Sequence, residues 1–248
     1  MRQVTASKLS LALACQHPWT SGVEWKETTS TSGRLGNAIH AMAERWVRDG
    51  AANVDGVALE FSLQPAQIKR LEQTFTQLRG WLATHDTSTW MVERPFAFNP
   101  ATGVARVLPG KSHRDYSAAT EDEICGTADV VDFGDHLVVR DYKSGVWVDH
   151  PSDSAQMRFL ALAASRFLGR SHVTAEIVRT MPDGIHPIPH TFDVLDMAMV
   201  ENELHDLHQR LRKPMGPTPS VAACRFCPIR HACPENLFAE KEQAVIHE

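Results

Sequence analysis

Three ionisable residues lie close together in the stretch 125–145: Asp129, Asp141 and Lys143. Two short apolar runs in this stretch meet at Gly134-Asp135, a pair that is typical of a tight β-hairpin turn. Asp141 and Lys143 are two residues apart on the second strand, so they share one of its faces. Two adjacent antiparallel strands can bring Asp129 to the same patch. The hairpin therefore predicts a patch that holds two carboxylates and an ammonium group.

Such a patch can bind a divalent cation. Two carboxylates in a half-buried site repel each other unless a cation lies between them, and oxygen ligands suit Mg²⁺ or Mn²⁺. A lysine beside the metal can orient or deprotonate a water molecule. The alternative is that the acids and the lysine form surface ion pairs only, which is common for such residues on strands.

A second group of reactive residues lies near the end of the chain. Cys224, Cys227 and Cys233 have the spacing C-x2-C-x5-C, and the turn-forming residues beside them let their sulfurs converge on one centre. A tetrahedral metal site or an iron-sulfur cluster needs a fourth ligand. The candidates for that ligand are Cys15, Cys125 and His231. Spacing alone favours zinc.

Hydrophobic periodicity predicts the elements that position these residues. The predicted helices cover 34–49, 64–85 and 153–167, with a last one that Asp193 caps. Besides the hairpin, strands are predicted at 90–98, 173–180 and 188–192. His40 lies on the first of these helices, and Gln156 lies in the first turn of the third.

The segment 99–120, between the first predicted strand and the hairpin, is polar and long. Connections of this length are either functional or irregular, and a solvated loop is the default prediction. A flap over DNA is the alternative. Its basic residues are Arg106, Lys111, His113 and Arg114.

The order of these motifs resembles the PD-(D/E)XK nuclease superfamily, specifically its RecB-like exonuclease branch. The matching features are a Gly-x-x-x-His motif on the first helix, whose histidine is His40, and a Gly-x-x-Asp motif on a strand, whose aspartate is Asp129. The third is the sequence Asp141-Tyr142-Lys143. The branch also has a Gln-x-x-x-Tyr motif; Gln156 matches its first position, but Leu160 occupies the tyrosine position. The resemblance covers nearly the whole chain.

The resemblance implies an α/β fold with a restriction-endonuclease-like core. That core consists of a helix, a three-stranded antiparallel meander, a helix and a strand, to which further helices are added. It implies one domain over 1–248, with the core at about 34–193. Residues 7–20 and 214–238 would together form a terminal subdomain tied by an iron-sulfur cluster.

The resemblance also implies the roles of the site residues. One or two Mg²⁺ or Mn²⁺ ions would be held by His40, Asp129, Asp141 and the backbone carbonyl of Tyr142. Lys143 would orient or activate the attacking water, and Gln156 would help to orient the site.

Members of the branch with an iron-sulfur cluster have one cysteine ahead of the nuclease core and three at its end. Cys15 together with Cys224, Cys227 and Cys233 reproduces that arrangement, which implies a structural 4Fe-4S cluster and leaves Cys125 as a buried thiol.

The implied function is a metal-dependent DNA nuclease. Action as an exonuclease on single-stranded DNA or on free ends follows from the resemblance, in DNA end processing, recombination and repair, or CRISPR adaptation. Two alternatives stay open. One is a partner subunit that selects DNA ends for an integrase or a helicase, and the other is a zinc-stabilised interaction domain.

Composition sets broad limits on these hypotheses. A chain of 248 residues with 43% hydrophobic content can bury one sizeable core, which predicts one domain. The net charge of -5 indicates no nucleic-acid partner by itself, so DNA would have to bind a local basic groove.

The sequence has no apolar run long enough for a bilayer and no secretory signal, which predicts a cytoplasmic protein without membrane contact. Five cysteines, an odd number, argue against a disulfide framework.

Overall fold

The structure is a computed structural model that describes residues 2–26, 31–109, 114–145, 148–213 and 215–238. The helices in the described residues are α1 (Leu9–Ala14), α2 (His17–Thr20), α3 (Thr31–Asp49), α4 (Val54–Glu60), α5 (Pro65–Leu82), α6 (Ala155–Leu168), α7 (Val194–Leu211) and α8 (Val221–Arg225). The strands are β1 (Trp90–Asn99), β2 (Val104–Val107), β3 (Ile124–Asp132), β4 (Val138–Lys143), β5 (Val173–Met181) and β6 (Gly184–Phe192). Short 3-10 turns cover Ala6–Lys8 and Arg230–Ala232. No helix among these residues has both the length and the apolar composition needed to cross a membrane.

The described strands form one sheet in the order β2-β1-β3-β4-β5-β6. Neighbouring strands are antiparallel except β4 and β5, which are parallel and are connected through α6. A parallel pair needs such a crossover, because the chain must return to the starting edge before the second strand begins. The predicted mixed α/β fold is confirmed, with the succession α3, the meander β1-β3-β4, α6 and β5.

Several local predictions differ from the structure. Strand β6 begins at Gly184, four residues before its predicted start, and α5 ends at Leu82, three residues before its predicted end. The segment predicted as a polar loop contains β2, which pairs antiparallel with β1; Gly103, at φ +70°, makes the turn between them. Helix α6 begins at Ala155, because the Ser154 hydroxyl accepts a hydrogen bond from the Met157 N–H and caps the helix there. Helix α3 begins at Thr31, three residues before its predicted start. Lys111 and His113 of the predicted loop lie outside the described residues.

Helices cover both faces of the sheet. On one face, α6 and α7 pack with the N-terminal helix α1, and Phe96, Phe159 and Leu204 are buried among them. On the other face, α3, α4 and α5 bury Ile39 and Leu71. A sheet covered on both faces has apolar residues along both sides of its central strands, so any polar residue buried there needs a partner.

Side-chain alternation along β1 changes at Glu93. Phe96 lies in the core beneath α6, whereas Val92, four residues earlier, lies in the core beneath α3 and α5. Residues an even number apart on a regular strand share a face, so the strand is irregular between these two positions. Glu93 has φ +50°, which is uncommon for a residue other than glycine. The irregularity therefore lies at a buried acid.

Candidate active site

Strand β3 has a matching irregularity at Asp129. Ala128 and Val130 are two residues apart but belong to the cores on opposite faces of the sheet. Val130 pairs with Val92 and Ala128 pairs with Arg94, so Asp129 lies directly across from Glu93. Both strands thus change their alternation at the same level of the sheet, which brings two acids together.

A cleft opens at this level because β3 and β4 separate. Their pairing ends at Val130 and Arg140, and beyond that point the Asp129 carboxylate accepts a hydrogen bond from the Tyr142 N–H at 2.6 Å. The N-terminal segment takes the place of β4 beside β3, where Thr5 forms a parallel bridge with Cys125. The resulting cleft has a volume of about 630 Å³. Residues along its walls include Lys8, Trp25, His40, Arg114, Asp141 and Lys143.

One half of the site consists of an imidazole and two carboxylates. His40 Nδ1 lies 3.0 Å from Asp129 Oδ1 and 3.9 Å from Glu93 Oε1. Burial lowers the pKa of His40, but the charge and hydrogen bond of Asp129 outweigh this effect and raise the pKa overall. Burial raises the pKa of Asp129, but His40 and then Lys143 counteract it and the pKa is lowered. His40 and Asp129 therefore stabilise each other as an ion pair.

The positive charges near Glu93 are not sufficient to keep its carboxyl group ionised at neutral pH. Burial and the nearby charge of Asp129 raise its pKa to about 8, although His40 opposes this rise. A site that keeps a carboxyl group protonated near neutral pH is short of positive charge. Donor atoms of His40, Glu93 and Asp129 all lie within 4.8 Å of one another, and a divalent cation suits two carboxylates and an imidazole. These residues fit a bound Mg²⁺ or Mn²⁺.

The other half of the site is a network around Asp141. Lys143 Nζ lies 2.6 Å from Asp141 Oδ2, and Gln156 Nε2 donates to Asp141 Oδ1 at 2.7 Å. The Lys143 ammonium also donates to Gln156 Oε1 at 3.3 Å. Burial lowers the pKa of Lys143, but Asp141 outweighs this effect and raises it. Lys143 is therefore charged and is held in place by two partners.

The structure brings the predicted site residues into one cleft in two groups. His40 and Asp129 lie together with Glu93, while Asp141 lies with Lys143 and Gln156. The Tyr142 side chain is buried in the core, and its N–H contributes the hydrogen bond to Asp129. Leu160, at the tyrosine position of the motif, is fully buried in the opposite core and takes no part in the site.

Glu93 is the residue that sequence reasoning missed. It lies within the strand predicted at 90–98, and strand periodicity alone gives no reason to assign it to the site. The signal that was available is the charged pair Glu93-Arg94 just before Pro95, which interrupts an otherwise apolar run. Proline in a strand commonly accompanies such an irregularity.

Four cysteines line a separate small cavity, between α1 and the C-terminal segment. They are Cys15, Cys224, Cys227 and Cys233, and apolar residues such as Leu11 and Ile229 complete the walls. Burial raises the pKa of the Cys227 thiol, and the three neighbouring cysteines raise it further. His231 is exposed and does not line this cavity. Cys125 is buried elsewhere, where it accepts a hydrogen bond from Gln3 Nε2 at 3.2 Å.

Buried carboxylates and an imidazole that can hold a divalent cation, with a lysine beside them, fit a metal-dependent hydrolase. The comparison with protein families supports this class of enzyme and identifies the superfamily. The chain belongs to the PD-(D/E)XK nuclease superfamily, which matches residues 3–234. Nucleases of this superfamily hydrolyse phosphodiester bonds and typically use a divalent metal.

No curated protein matches the chain. Eleven chains of solved structures do match it. One of them, the crystal structure of SSO0001, is 15% identical, with a TM-score of 0.35 over 93% of this chain and 96% of that chain.

Proposed function

We propose that this chain is a metal-dependent DNA nuclease that acts as an exonuclease on single strands. The observation that supports nuclease activity is the pair of buried carboxylates Asp129 and Asp141, which line one open cleft beside His40 and Lys143. A third buried acid, Glu93, lies behind them, with its oxygen within 4.8 Å of the ligand atoms of His40 and Asp129. An excess of buried negative charge in a cleft calls for a cation, and a divalent cation also attracts phosphate. Single-strand preference and exonuclease action rest on the resemblance to RecB-like exonucleases.

In this proposal, His40, Glu93 and Asp129 hold the metal, with Asp141 and the Tyr142 carbonyl as further ligands. When bound, Mg²⁺ or Mn²⁺ would polarise the scissile phosphate and lower the pKa of the attacking water. The Tyr142 N–H orients the Asp129 carboxylate through a hydrogen bond of 2.6 Å.

Lys143 orients the attacking water and stabilises negative charge that develops on the phosphate. Its ammonium group is held by Asp141 and Gln156, which limits the positions it can occupy. Gln156 contacts both partners at once, because its amide donates to the carboxylate and its carbonyl accepts from the ammonium. Gln156 is therefore a positioning residue.

The test is cleavage of end-labelled single-stranded DNA with Mn²⁺. Asp129→Ala and Asp141→Ala should each lower the rate by at least about a hundredfold, because each removes a carboxylate that balances the metal. Asp135→Ala, which removes an exposed acid in the β3–β4 turn, should retain the wild-type rate. Unchanged cleavage by either active-site variant would overturn the site assignment, and cleavage of a circular single strand would contradict exonuclease action.

We further propose that the four cysteines hold a structural 4Fe-4S cluster, with zinc as the alternative metal. Four thiols around one apolar cavity support a four-cysteine site of either kind. The preference for iron and sulfide rests on the resemblance in cysteine order. A bound cluster would keep the thiols deprotonated and tie the N-terminal helices to the C-terminal segment.

A further inference from the structure

Arg114 lines the same cleft as the carboxylates. Its loop is anchored close to the site, since the Tyr116 hydroxyl lies within hydrogen-bond distance of Thr127 Oγ1, at 3.0 Å. Thr127 precedes Asp129 by two residues on β3. The part of the loop at Tyr116 is therefore held beside the acids.

The backbone of Arg114 is in an uncommon conformation. It has φ +80°, a region that glycine and asparagine adopt readily but long side chains rarely do. Residues held in such conformations are concentrated at functional sites, where the surrounding structure maintains them. The conformation at Arg114 places an exposed guanidinium on the wall of the cleft.

The charge of Arg114 has no carboxylate partner at ion-pair distance in the part of the chain that the structure describes. Lys143, by contrast, is occupied by Asp141 and Gln156. Arg114 is nevertheless near enough to act on the site. Its charge is among the effects that oppose burial and so limit the rise in the pKa of Glu93. An exposed arginine on a cleft wall near buried acids is available to an anionic ligand.

We propose that Arg114 binds a backbone phosphate of the nucleic-acid strand in the cleft. A guanidinium group is planar and can donate two parallel hydrogen bonds to phosphate oxygens, which fixes orientation as well as position. The contact would hold the strand against the wall that carries Arg114 and so direct the next phosphodiester towards the carboxylates. This role rests on the proposed function, and it makes Arg114 a substrate-binding residue.

The test measures binding of a labelled single-stranded oligonucleotide with Ca²⁺ in place of Mn²⁺, at several salt concentrations. Arg114→Gln should weaken binding by about tenfold, and it should reduce the slope of log K against log salt by about 0.7, the value for one phosphate contact on a single strand. Arg114→Lys should keep most of the slope, because it keeps the charge. A merely structural role for Arg114 would lower affinity and leave the slope unchanged.

Two further variants separate charge from folding. Arg114→Asn keeps a residue that tolerates positive φ, so it should melt like the wild type yet show the reduced slope. Arg94→Gln removes an exposed arginine of β1 that does not line the cleft, and it should leave affinity and slope unchanged.

The outcomes distinguish this inference from the function on which it rests. An unchanged slope in both Arg114→Gln and Arg114→Asn, in a wild type that cleaves DNA, would overturn the role of Arg114 alone. A wild type that neither binds nor cleaves the oligonucleotide would overturn both.

Discussion

Glu93 combines a buried carboxylate with a left-handed backbone, and each of these is unfavourable by itself. A residue other than glycine at positive φ costs about 1–3 kcal/mol, and the neighbouring Asp129 adds charge repulsion. Surrounding packing maintains the position, because Val92 and Val130 pair beside it and are buried in one core. A divalent cation would offset the repulsion between Glu93 and Asp129. The unfavourable position of the Glu93 carboxylate therefore supports its role as a metal ligand.

Glu93→Gln tests this role. The substitution keeps the shape of the side chain but removes the charge, so the Mn²⁺ concentration for half-maximal cleavage should rise by about tenfold or more. Thermal melting in EDTA near neutral pH should show equal or higher stability, because Glu93 must take up a proton on folding at that pH and glutamine need not. A lower melting temperature together with unchanged metal dependence would instead mean that Glu93 is structural.

Individual site residues differed in how far the sequence could predict them. Asp141 and Lys143 could be predicted to share a face, because strand periodicity fixes residues two apart. Whether the Asp129 side chain lies near Asp141 and Lys143 depends on where β3 and β4 separate. The N-terminal segment pairs with β3 beyond that point, and strand periodicity does not predict this pairing. Glu93 could not be found by periodicity, because the periodicity itself changes at that residue.

At the scale of elements, Gly126 lets the N-terminal segment approach β3. A Cβ atom added at Gly126 would lie 2.6 Å from Ala6 Cβ and 2.9 Å from Phe159 Cε1. Distances this short cannot be kept, and both neighbours are buried. The glycine of the Gly-x-x-Asp motif therefore has a packing reason, which is the close contact of β3 with the Ala6–Lys8 turn and with α6.

Gly126→Ala should displace the Ala6–Lys8 turn. Overpacking of this kind costs about 1–3 kcal/mol, and each kcal/mol lowers the melting temperature by roughly 2–4 °C in a domain of this size. Nuclease activity should fall as well, because the turn forms one wall of the cleft. Differential scanning calorimetry and the cleavage assay measure the two effects.

Gly80→Ala is the matched control for that substitution. Gly80 lies within α5, and a Cβ atom added there would meet nothing within 4 Å. Alanine is favoured over glycine in a helix by roughly 0.5–1 kcal/mol, so this variant should melt slightly higher. If Gly126→Ala also melted higher than the wild type, the packing argument would be wrong.

Elements with strong local signals were predicted well, and elements without them were not. Asp193 caps α7 as predicted, because its carboxylate accepts hydrogen bonds from the first N–H groups of the helix. Strand β2 has only four residues and is partly exposed, so its pairing with β1, rather than its own composition, determines that it is a strand. Helix α4 is short and was missed for a similar reason, since it depends on packing against α3 and α5.

At the scale of the whole molecule, the two ends of the chain are packed together. The Lys26 N–H donates to the Pro228 carbonyl at 3.0 Å, and the Thr218 N–H donates to Cys15 Sγ at 3.4 Å. His17 Nδ1 lies 3.1 Å from the Met215 carbonyl oxygen. These contacts join segments about two hundred residues apart, so the N-terminal wall of the cleft depends on the C-terminal segment.

Local spacing could predict that Cys224, Cys227 and Cys233 converge, because the first and the last are only nine positions apart in the sequence. It could not choose among Cys15, Cys125 and His231, because nothing local determines which distant residue reaches the cavity. The resemblance favoured Cys15. The structure brings Cys15 to the cavity, and neither Cys125 nor His231 lines it.

Cys15→Ser tests whether the cysteine cavity holds a cluster that ties the ends of the chain. We expect wild-type protein purified without oxygen to be brown and to contain iron and sulfide. Cys15→Ser should lose most of that iron and colour, because a 4Fe-4S cluster needs four ligands. A tie of this length restricts the unfolded chain by roughly 5 kcal/mol in the chain-entropy model, so the variant should also melt lower and aggregate. Its nuclease activity should fall, since the N-terminal wall would lose its attachment.

His231→Ala and Cys125→Ser should both stay brown, because neither residue lines the cavity. A colourless wild type with one zinc per chain would overturn the iron-sulfur assignment, and metal content unaffected by Cys15→Ser would remove Cys15 from the ligand set; the carboxylate site would be untouched by either result.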